Sequence, residues 1–146
     1  MIKRAKPSDL RALAGLALAL WPDHREEELA DELAGLLANG EAAFFLEEEG
    51  GEYLGFAQVQ LRRDYVEGAH SSPVGYLEGI YVRQGSRRRG TARALLAACE
   101  RWAADMGCAE FASDCPVDNA DSLRFHLASG FQEAGRIICF TKQIKQ

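Results

Sequence analysis

A glycine-rich turn between a strand and a helix constrains the fold of this chain more than any other feature of its sequence. The turn lies in the stretch QGSRRRGTARALL, residues 84–96, where three consecutive arginines stand between two glycines. Apolar residues over Val74–Val82 predict a strand before the turn, and helical spacing from Leu95 to Met106 predicts an amphipathic helix after it. Such a unit directs backbone N–H groups and the positive end of a helix dipole at one point, which favours binding of an anion.

The residues of this turn narrow the choice of anion. The spacing of Gly85 and Gly90 imitates a nucleotide P-loop, but Thr91 and Ala92 stand where that motif requires Lys and then Ser or Thr, so we exclude an NTPase. The GxGxxG pattern of dinucleotide-binding turns is also absent. The pattern that remains is Arg87-x-x-Gly90-x-Ala92, in which Gly90 permits close approach and the arginines add charge around a pyrophosphate. The alternative is a solvated basic turn before an ordinary surface helix.

The rest of the chain predicts an α/β domain with the order β-α-α-β-β-β-α-β-α-β and a mixed central sheet flanked by helices. The predicted strands are residues 2–5, 42–47, 53–63, 74–82, 110–114 and 131–142. Helices are predicted to begin at Ser8 or Asp9, at Glu26, near Thr91 and at Asn119. Strands two to four form an antiparallel meander in this prediction. The length of 146 residues suits one domain, so residues 1–146 are predicted as a single unit.

The composition excludes several classes of function. With 17 Lys and Arg against 22 Asp and Glu, the formal charge of -5 argues against a general nucleic-acid binder and favours cationic partners. The four cysteines form no CxxC and no Cys/His cluster with zinc spacing, so we expect no metal site and no disulfide framework. We also expect no membrane association, because no apolar run reaches the length of a span and the first residues lack a signal peptide's apolar region. These features predict a soluble, cytoplasmic protein.

The arginine turn and the element order together resemble the GNAT superfamily of N-acyltransferases, whose coenzyme A pyrophosphate loop reads Arg/Gln-x-x-Gly-x-Gly/Ala. The resemblance implies acetyl-CoA as cosubstrate. In that superfamily the backbone matching Ile80–Val82 pairs with the acetyl-CoA arm, and an N–H there polarises the acetyl carbonyl. The implied coenzyme-binding residues are Ile80, Tyr81, Val82, Arg87, Arg88, Arg89, Gly90, Thr91, Ala92 and Asn119. For Asn119 the alternative is a plain helix N-cap.

A narrower likeness, covering nearly the whole chain, is to the aminoglycoside 6′-N-acetyltransferases. The segments that carry it include LWPD at 20–23, DYV at 64–66, SSP at 71–73, YLEGIYV at 76–82, EFASD at 110–114 and GFQE at 130–133. This resemblance implies acetyl transfer to the 6′-amine of aminoglycosides by direct attack in a ternary complex, which confers resistance. It further implies that Trp21, Tyr65, Glu78 and Asp114 line the substrate site.

Transfer of an acetyl group to an amine requires two different functions from these carboxylates, binding of the amine and removal of a proton. The amine is protonated at neutral pH, so the ammonium must be held, a proton removed and the thioester carbonyl polarised. Glu78 lies in the strand before the turn, and Asp114 ends the next strand, where neighbouring parallel strands would splay apart. By resemblance Asp114 is the general base, directly or through water, and Glu78 holds the amine. The alternative for both is a strand-end salt bridge or cap.

Three further residues have open interpretations. His126 lies four residues before Gly130, where many superfamily members carry a tyrosine that protonates the leaving thiolate. Its imidazole can donate a proton near neutral pH, although a helical histidine is more often packed or solvated. Gly79 inside a strand indicates a bulge or a close backbone approach. Trp21 either stacks on a sugar ring or is buried.

Some features of the sequence do not determine which substrate the protein uses. Related enzymes carry an acidic residue in the last strand where this chain has Gly135, with Glu133 nearby, so we expect substrate affinity or preference to differ. The acidic second helix either steers a polycation or is a solvated face. Rival functions are acetylation of another polyamine or of a protein amine, and a non-catalytic acetyl-CoA-binding module. Dimers are common among the relatives, and the final strand offers an edge for pairing.

Overall fold

The computed structural model describes residues 1–145, which form five strands and four α-helices in the predicted α/β order as far as the last helix. Two short 3-10 turns, at Pro7–Asp9 and Gln84–Ser86, precede the first and third helices. The elements are β1 (Ile2–Arg4), α1 (Leu10–Leu20), α2 (Glu26–Leu37), β2 (Ala42–Glu49), β3 (Glu52–Arg62), β4 (Val74–Val82), α3 (Thr91–Asp105), β5 (Phe111–Ser113) and α4 (Ala120–Ala128). No helix in this described part of the chain is long and apolar enough to cross a bilayer.

The chain consists of two compact units, residues 1–114 and 115–146. The first unit contains one sheet in the order β1-β2-β3-β4-β5, and it also contains α1, α2 and α3. All neighbouring strands are antiparallel except β4 and β5, which are parallel. The predicted meander of β2, β3 and β4 is therefore confirmed. The second unit contains α4.

The core of the first unit lies where helices cover the sheet. The apolar stripes of α1 and α2 pack against β2 and β3, and α3 packs on β2, β3 and β4. Helix α3 ends where predicted, because Gly107 follows it with a φ of 93°, which suits glycine. Fully buried members of this core include Leu13, Leu16, Leu33, Phe44, Leu46, Phe56, Leu95 and Cys99.

Strand β4 separates from β5 partway along its length. The parallel pairing runs from Gly75 opposite Phe111 to Leu77 opposite Ser113 and then stops, although β4 continues to Val82. The next residue on each strand is a carboxylate, Glu78 on β4 and Asp114 after β5. The splayed parallel pair predicted from the sequence is present, and it brings both carboxylates to the point of separation.

A β-bulge lies at the same point of β4. The antiparallel register with β3 passes from Gly79 opposite Gln58 to Leu77 opposite Val59, so Glu78 is the extra residue of β4. A bulge interrupts the ladder and re-aims the side chain of its extra residue. The prediction of a bulge around Gly79 is confirmed.

The predicted final strand over residues 131–142 is wrong for the chain as described. The structure assigns no strand within residues 131–145, and Ile137, Ile138 and Phe140 are 76%, 81% and 87% exposed. Apolar residues in this segment do predict a strand. However, a strand forms only where a neighbour takes up its backbone hydrogen bonds, and a sequence pattern does not identify that neighbour.

Candidate functional site

The turn before α3 has the geometry of an anion site. Gly90 is the N-cap of α3 with a φ of 81°, and no other described atom lies within 4 Å of the position that a Cβ would take there. Helix α3 begins at Thr91, as predicted, and the N–H groups of its first turn have no acceptor within the helix. This open helix N-terminus fits the pyrophosphate of coenzyme A in charge and in access.

The three arginines of the turn have different surroundings. Arg87 folds back on β4, since its Nε donates to the Val82 carbonyl at 2.8 Å and its guanidinium lies 5.9 Å from the centre of the Tyr81 ring. Arg88 adopts a left-handed backbone with a φ of 66°. Arg89 is exposed, and its Nη2 lies 3.5 Å from the Gly85 carbonyl oxygen. Arg87 therefore ties the turn to β4, while the other two project charge from an exposed loop.

At its end, β4 has one edge available for the acetyl-CoA arm that is predicted to bind there. Residues Ile80, Tyr81 and Val82 pair with Ala57, Phe56 and Gly55 of β3. On their other side the pairing with β5 has already ended at Leu77, and no described strand replaces it. The predicted role of Ile80–Val82 requires such an edge, because a strand amide without a strand partner gives a fixed dipole.

A cavity of about 250 Å³ lies beside the bulge. This volume is close to the lower end of the range for small-molecule pockets, about 300 Å³. Its wall brings together an indole, an imidazole, two carboxylates and two carboxamides. The lining residues are Trp21, His24, Leu29, Glu32, Leu33, Leu36, Gln58, Gln60 and Glu78. Two of them, Trp21 and Glu78, were predicted from the sequence as substrate-site residues.

Trp21 closes one side of this cavity and also packs on β4. A Cβ at Gly79 would lie 2.7 Å from Cζ2 of Trp21, so the indole occupies the space that only glycine leaves. The edge-on contact with Phe56, at 5.9 Å between ring centres, holds the same indole from the sheet. The ring is partly buried and also lines the cavity, and its stacking on a sugar ring stays a prediction. Beside the bulge, Gly79 therefore also makes room for the packing of a neighbouring side chain.

Glu78 forms an ion pair that the sequence did not identify. Arg62 of β3 donates from Nε to Oε2 at 2.9 Å and from Nη2 to Oε1 at 2.7 Å. The planar fork of the guanidinium matches the carboxylate, which is the strong bidentate arrangement. The salt-bridge interpretation of Glu78 is therefore confirmed, and Glu78 lines the cavity as well.

Asp114 is held by Tyr76 of β4, whose hydroxyl donates to Oδ2 of the carboxylate. Burial, followed by this hydrogen bond and the charge of Asp114, raises the pKa of Tyr76. The phenol ring lies under the guanidinium of Arg62, with 3.4 Å from Cζ to the ring centre. Arg62 and Tyr76 thus connect the two predicted catalytic carboxylates. Sequence reasoning missed both, because the contact depends on the register between β3 and β4.

Tyr65 is not at the cavity. It lies on the loop between β3 and β4, is 74% exposed, and its hydroxyl donates to Glu67. The cavity wall does not include it. The prediction that Tyr65 contacts the substrate stays a prediction.

Two predicted residues lie in the second unit. Asn119 is the N-cap of α4, since its Oδ1 accepts from the Ser122 N–H at 3.1 Å, which confirms the N-cap interpretation. The Nδ1 of His126 lies 2.7 Å from the Ser122 carbonyl oxygen and therefore donates to it, and the imidazole packs against Phe131 at 5.0 Å between ring centres. Their roles toward coenzyme A and the leaving thiolate stay predictions.

The described residues contain no group of three or more His, Cys, Asp and Glu side chains arranged to hold a metal ion. Of the cysteines, Cys99 is buried in the core, and burial raises the pKa of its thiol. All four cysteines are unpaired with one another.

Comparison with known proteins gives a consistent result. Residues 10–131 match the sequence profile described as the acetyltransferase (GNAT) family. Aminoglycoside N(6′)-acetyltransferase type 1 of Stenotrophomonas maltophilia is 46% identical over 140 residues, which cover 95% of this chain and 90% of the relative. The protein of the same name from Serratia marcescens is 41% identical over 145 residues, 99% of each chain.

Solved structures agree with these sequence matches. AAC(6′)-Iy in complex with the bisubstrate analogue CoA-S-monomethyl-acetylneamine has a TM-score of 0.95 and 38% identity, covering 99% of this chain and 98% of its own. Apo AAC(6′)-IG from Acinetobacter haemolyticus has a TM-score of 0.94 and 36% identity, with 99% of each chain covered. The family resemblance read from the arginine turn and the acetyl-CoA cosubstrate that it implies are confirmed, and the chain belongs to the acetyltransferase (GNAT) family.

Proposed function

We propose that this enzyme transfers the acetyl group of acetyl-CoA to the 6′-amine of aminoglycoside antibiotics and thereby confers resistance to them. The observation that carries the proposal is the cavity at the bulge of β4, where the Trp21 indole and the Glu78 carboxylate share one wall. An aminoglycoside ring has an apolar face suited to an aromatic side chain and ammonium groups suited to carboxylates. The named function of the relatives supports the same substrate class.

Two carboxylates bind the amine substrate in this proposal. Glu78 and Glu32 both line the cavity, so a polycationic ring entering it meets one carboxylate from β4 and one from α2. Glu32 belongs to the acidic outer side of α2, whose other acidic residues remain at the surface. The cavity thus gives one residue of that helix a direct contact with substrate.

The transfer itself is a direct attack in a ternary complex. Asp114 takes a proton from the 6′-ammonium, directly or through one water, and leaves a neutral amine. The amine nitrogen attacks the thioester carbonyl carbon, the new C–N bond forms, and the C–S bond breaks. An N–H of the β4 segment 80–82 polarises the carbonyl oxygen. His126 donates a proton to the departing thiolate, and the second proton that the nitrogen loses as the amide forms replaces the one given up by His126. The proton taken by Asp114 is then the one released to solvent, so the proton count balances.

The coenzyme is held by residues on both sides of the arginine turn. The N–H groups at Gly90, Thr91 and Ala92 take the pyrophosphate, and Arg88 and Arg89 add positive charge around it. In this proposal Asn119 contacts coenzyme A, Tyr65 closes over the aminoglycoside, and residues 1–146 act as one domain. The enzyme works in the cytoplasm, where acetyl-CoA is available.

A homodimer completes the proposal. The segment after α4 carries apolar side chains that are strongly exposed, Ile137, Ile138, Phe140 and Ile144 at 76–87%. Exposed apolar surface of this kind marks an interaction site. The same segment has the sequence pattern of a strand, so it pairs with a second copy of this chain. Light scattering after gel filtration should give twice the chain mass, and Ile138→Asp should give a monomer that still binds acetyl-CoA.

The experiment that tests the function is a thiol-release assay with acetyl-CoA. Kanamycin or tobramycin is compared with an analogue that carries a 6′-hydroxyl, and Asp114→Asn is assayed beside the wild type. We expect turnover only with the 6′-amino drugs and a loss of about 10²-fold or more in the variant, the size typical of a removed general base. Turnover of another polyamine or a protein amine alone would assign that substrate instead. Binding of acetyl-CoA with no turnover at all would favour a non-catalytic module.

A further inference from the structure

Tyr76 connects the predicted general base to the sheet. Its hydroxyl donates to Oδ2 of Asp114, and its backbone pairs with Ala112 of β5, two residues before Asp114. The side chain is 7% exposed, so the phenol has little freedom to turn away. The bond occupies one carboxylate oxygen and fixes the plane in which the other oxygen, Oδ1, lies.

The ring of Tyr76 is itself fixed from β3 and β4. The Arg62 guanidinium lies over it at 3.4 Å, and Glu78 holds that guanidinium by two hydrogen bonds. The charged groups around the phenol are therefore Arg62 from β3, Glu78 from β4 and Asp114 after β5. Each group contacts the next: Glu78 is hydrogen-bonded to Arg62, Arg62 lies over the Tyr76 ring, and the Tyr76 hydroxyl is hydrogen-bonded to the Asp114 carboxylate.

The phenol acts as a donor in this arrangement. Burial raises the pKa of Tyr76 above that of an ordinary phenol, so the hydroxyl keeps its proton at neutral pH and does not compete with Asp114 as a base. The hydrogen bond from this hydroxyl gives Oδ2 of the Asp114 carboxylate a fixed partner. It also restricts the rotation of the carboxylate. A base that is already correctly placed does not need that rotation.

We propose that Tyr76 is a positioning residue of the acetyl transfer, which holds the Asp114 carboxylate with Oδ1 directed to the substrate ammonium, while Arg62 keeps the Tyr76 ring in place. This inference rests on the proposed function, because it assigns a partner to the base of that reaction. It differs from a packing role, which the ring alone would fill.

The test is Tyr76→Phe, which removes the hydroxyl and leaves the ring beneath Arg62. We expect kcat with a 6′-amino substrate to fall about tenfold, the loss expected for one hydrogen bond to a charged group. The KM for acetyl-CoA should not change.

Tyr53→Phe is the matched control. It deletes the same hydroxyl from another tyrosine–aspartate pair, Tyr53 and Asp9 at 3.1 Å, neither of which lines the cavity. Its kcat should equal that of the wild type. A loss of the same size in both variants would make the effect of Tyr76→Phe a general one and overturn the inference.

A double-mutant cycle separates positioning from packing. If Tyr76 acts through Asp114, Tyr76→Phe costs nothing further in an Asp114→Asn background. Additive losses, or wild-type kinetics of Tyr76→Phe alone, would overturn the role of Tyr76 and leave the proposed function standing. A wild-type enzyme that acetylates no 6′-amino substrate would instead overturn the proposed function, and the role of Tyr76 with it.

Discussion

Arg62 and Glu78, sixteen residues apart, meet across β3 and β4 through two parallel hydrogen bonds of 2.9 Å and 2.7 Å. Glu78 is the extra residue of a β-bulge, so its side chain is displaced from the regular alternation of the strand. The ion pair therefore fixes the direction of a carboxylate that also lines the cavity. Because Arg62 already offsets part of its charge, we expect Glu78 to bind a substrate ammonium as part of a network with Arg62.

Loss of the Glu78 charge should weaken substrate binding. In Glu78→Gln the guanidinium of Arg62 stays beside the cavity without its carboxylate partner, so that the local charge changes from near neutral to positive. We expect the aminoglycoside KM to rise about tenfold or more, since hydrogen bonds to charged groups contribute about 1.5–3 kcal/mol. Initial rates over a range of drug concentrations measure this, and the acetyl-CoA KM should stay constant.

Glu41→Gln is the control for that variant. Glu41 and Arg63 form a second multiply bonded pair, with 2.8 Å between Oε2 and Nη2, but at the surface. Surface pairs contribute little, so both KM values should be unchanged. If Glu78→Gln and the wild type had the same aminoglycoside KM, Glu78 would have only a structural role in the sheet.

A methyl group at Gly79 should disturb both the fold and the cavity. The Cβ of Gly79→Ala would lie 2.7 Å from Cζ2 and 2.8 Å from Cη2 of Trp21, so the indole or the strand must move. Overpacking of this kind costs about 1–3 kcal/mol. Urea unfolding should show that loss, and the aminoglycoside KM should rise because Trp21 lines the cavity.

The matched change at Gly40 should disturb neither the fold nor the cavity. No other described atom lies within 4 Å of its added Cβ, and Gly40 is far along the chain from the bulge. We expect Gly40→Ala to change the free energy of unfolding by no more than about 0.5 kcal/mol. If Gly79→Ala and Gly40→Ala had the same free energy of unfolding, the Trp21 indole would move aside without a loss of stability.

The parts of the fold that local signals determine were predictable. The bounds of β4, the start of α3 at Thr91 and the glycines before and after α3 follow from alternation, spacing and the need for a left-handed residue. The bulge was predicted too, because Gly79 inside a strand is a local signal. For the site, these signals located the turn, whereas the resemblance to the aminoglycoside 6′-N-acetyltransferases identified Trp21 and the two carboxylates.

The contacts of the site depend on information that local patterns lack. Arg62 reaches Glu78 and Tyr76 only in the observed register of β3 and β4, and a shift of one residue would put it on the other face. His24, Glu32, Gln58 and Gln60 enter the cavity wall through helix and sheet packing. The last strand was predicted wrongly, because its pairing partner is not specified by its own residues.

Asp9 should make the stability depend on pH. Its buried carboxylate accepts from the Lys6 N–H at 2.9 Å, from Lys3 Nζ at 3.1 Å and from the Tyr53 hydroxyl, and the Lys6 bond is the main cause that lowers the pKa of Asp9. A lowered folded pKa means that the carboxylate adds stability above its ordinary value of 3.8 and loses it as the pH falls through the lower folded value.

The measurement is urea unfolding of Asp9→Asn and wild type at neutral and acidic pH. We expect the variant to be less stable by about 1–3 kcal/mol at neutral pH, because the donors around Asp9 lose a charged acceptor. The difference should shrink below the ordinary Asp range. Asp31→Asn, on the exposed side of α2, should show no such pH dependence. A gap between Asp9→Asn and wild type that is constant with pH would contradict the assignment.

Gly90 and Gly107 stand before and after α3 with similar backbones, at φ values of 81° and 93°, and neither has another described atom within 4 Å of its added Cβ. A leucine at either position therefore carries the same strain of a left-handed L-residue, about 1–2 kcal/mol. Only Gly90 adjoins the first turn of α3, where its side chain would fill the space of the pyrophosphate. We expect Gly90→Leu to raise the acetyl-CoA KM at least about tenfold, and Gly107→Leu to lose the same stability with an unchanged KM. Unchanged coenzyme affinity in Gly90→Leu would place the pyrophosphate elsewhere, whereas equal rises in both variants would trace the effect to α3 as a whole.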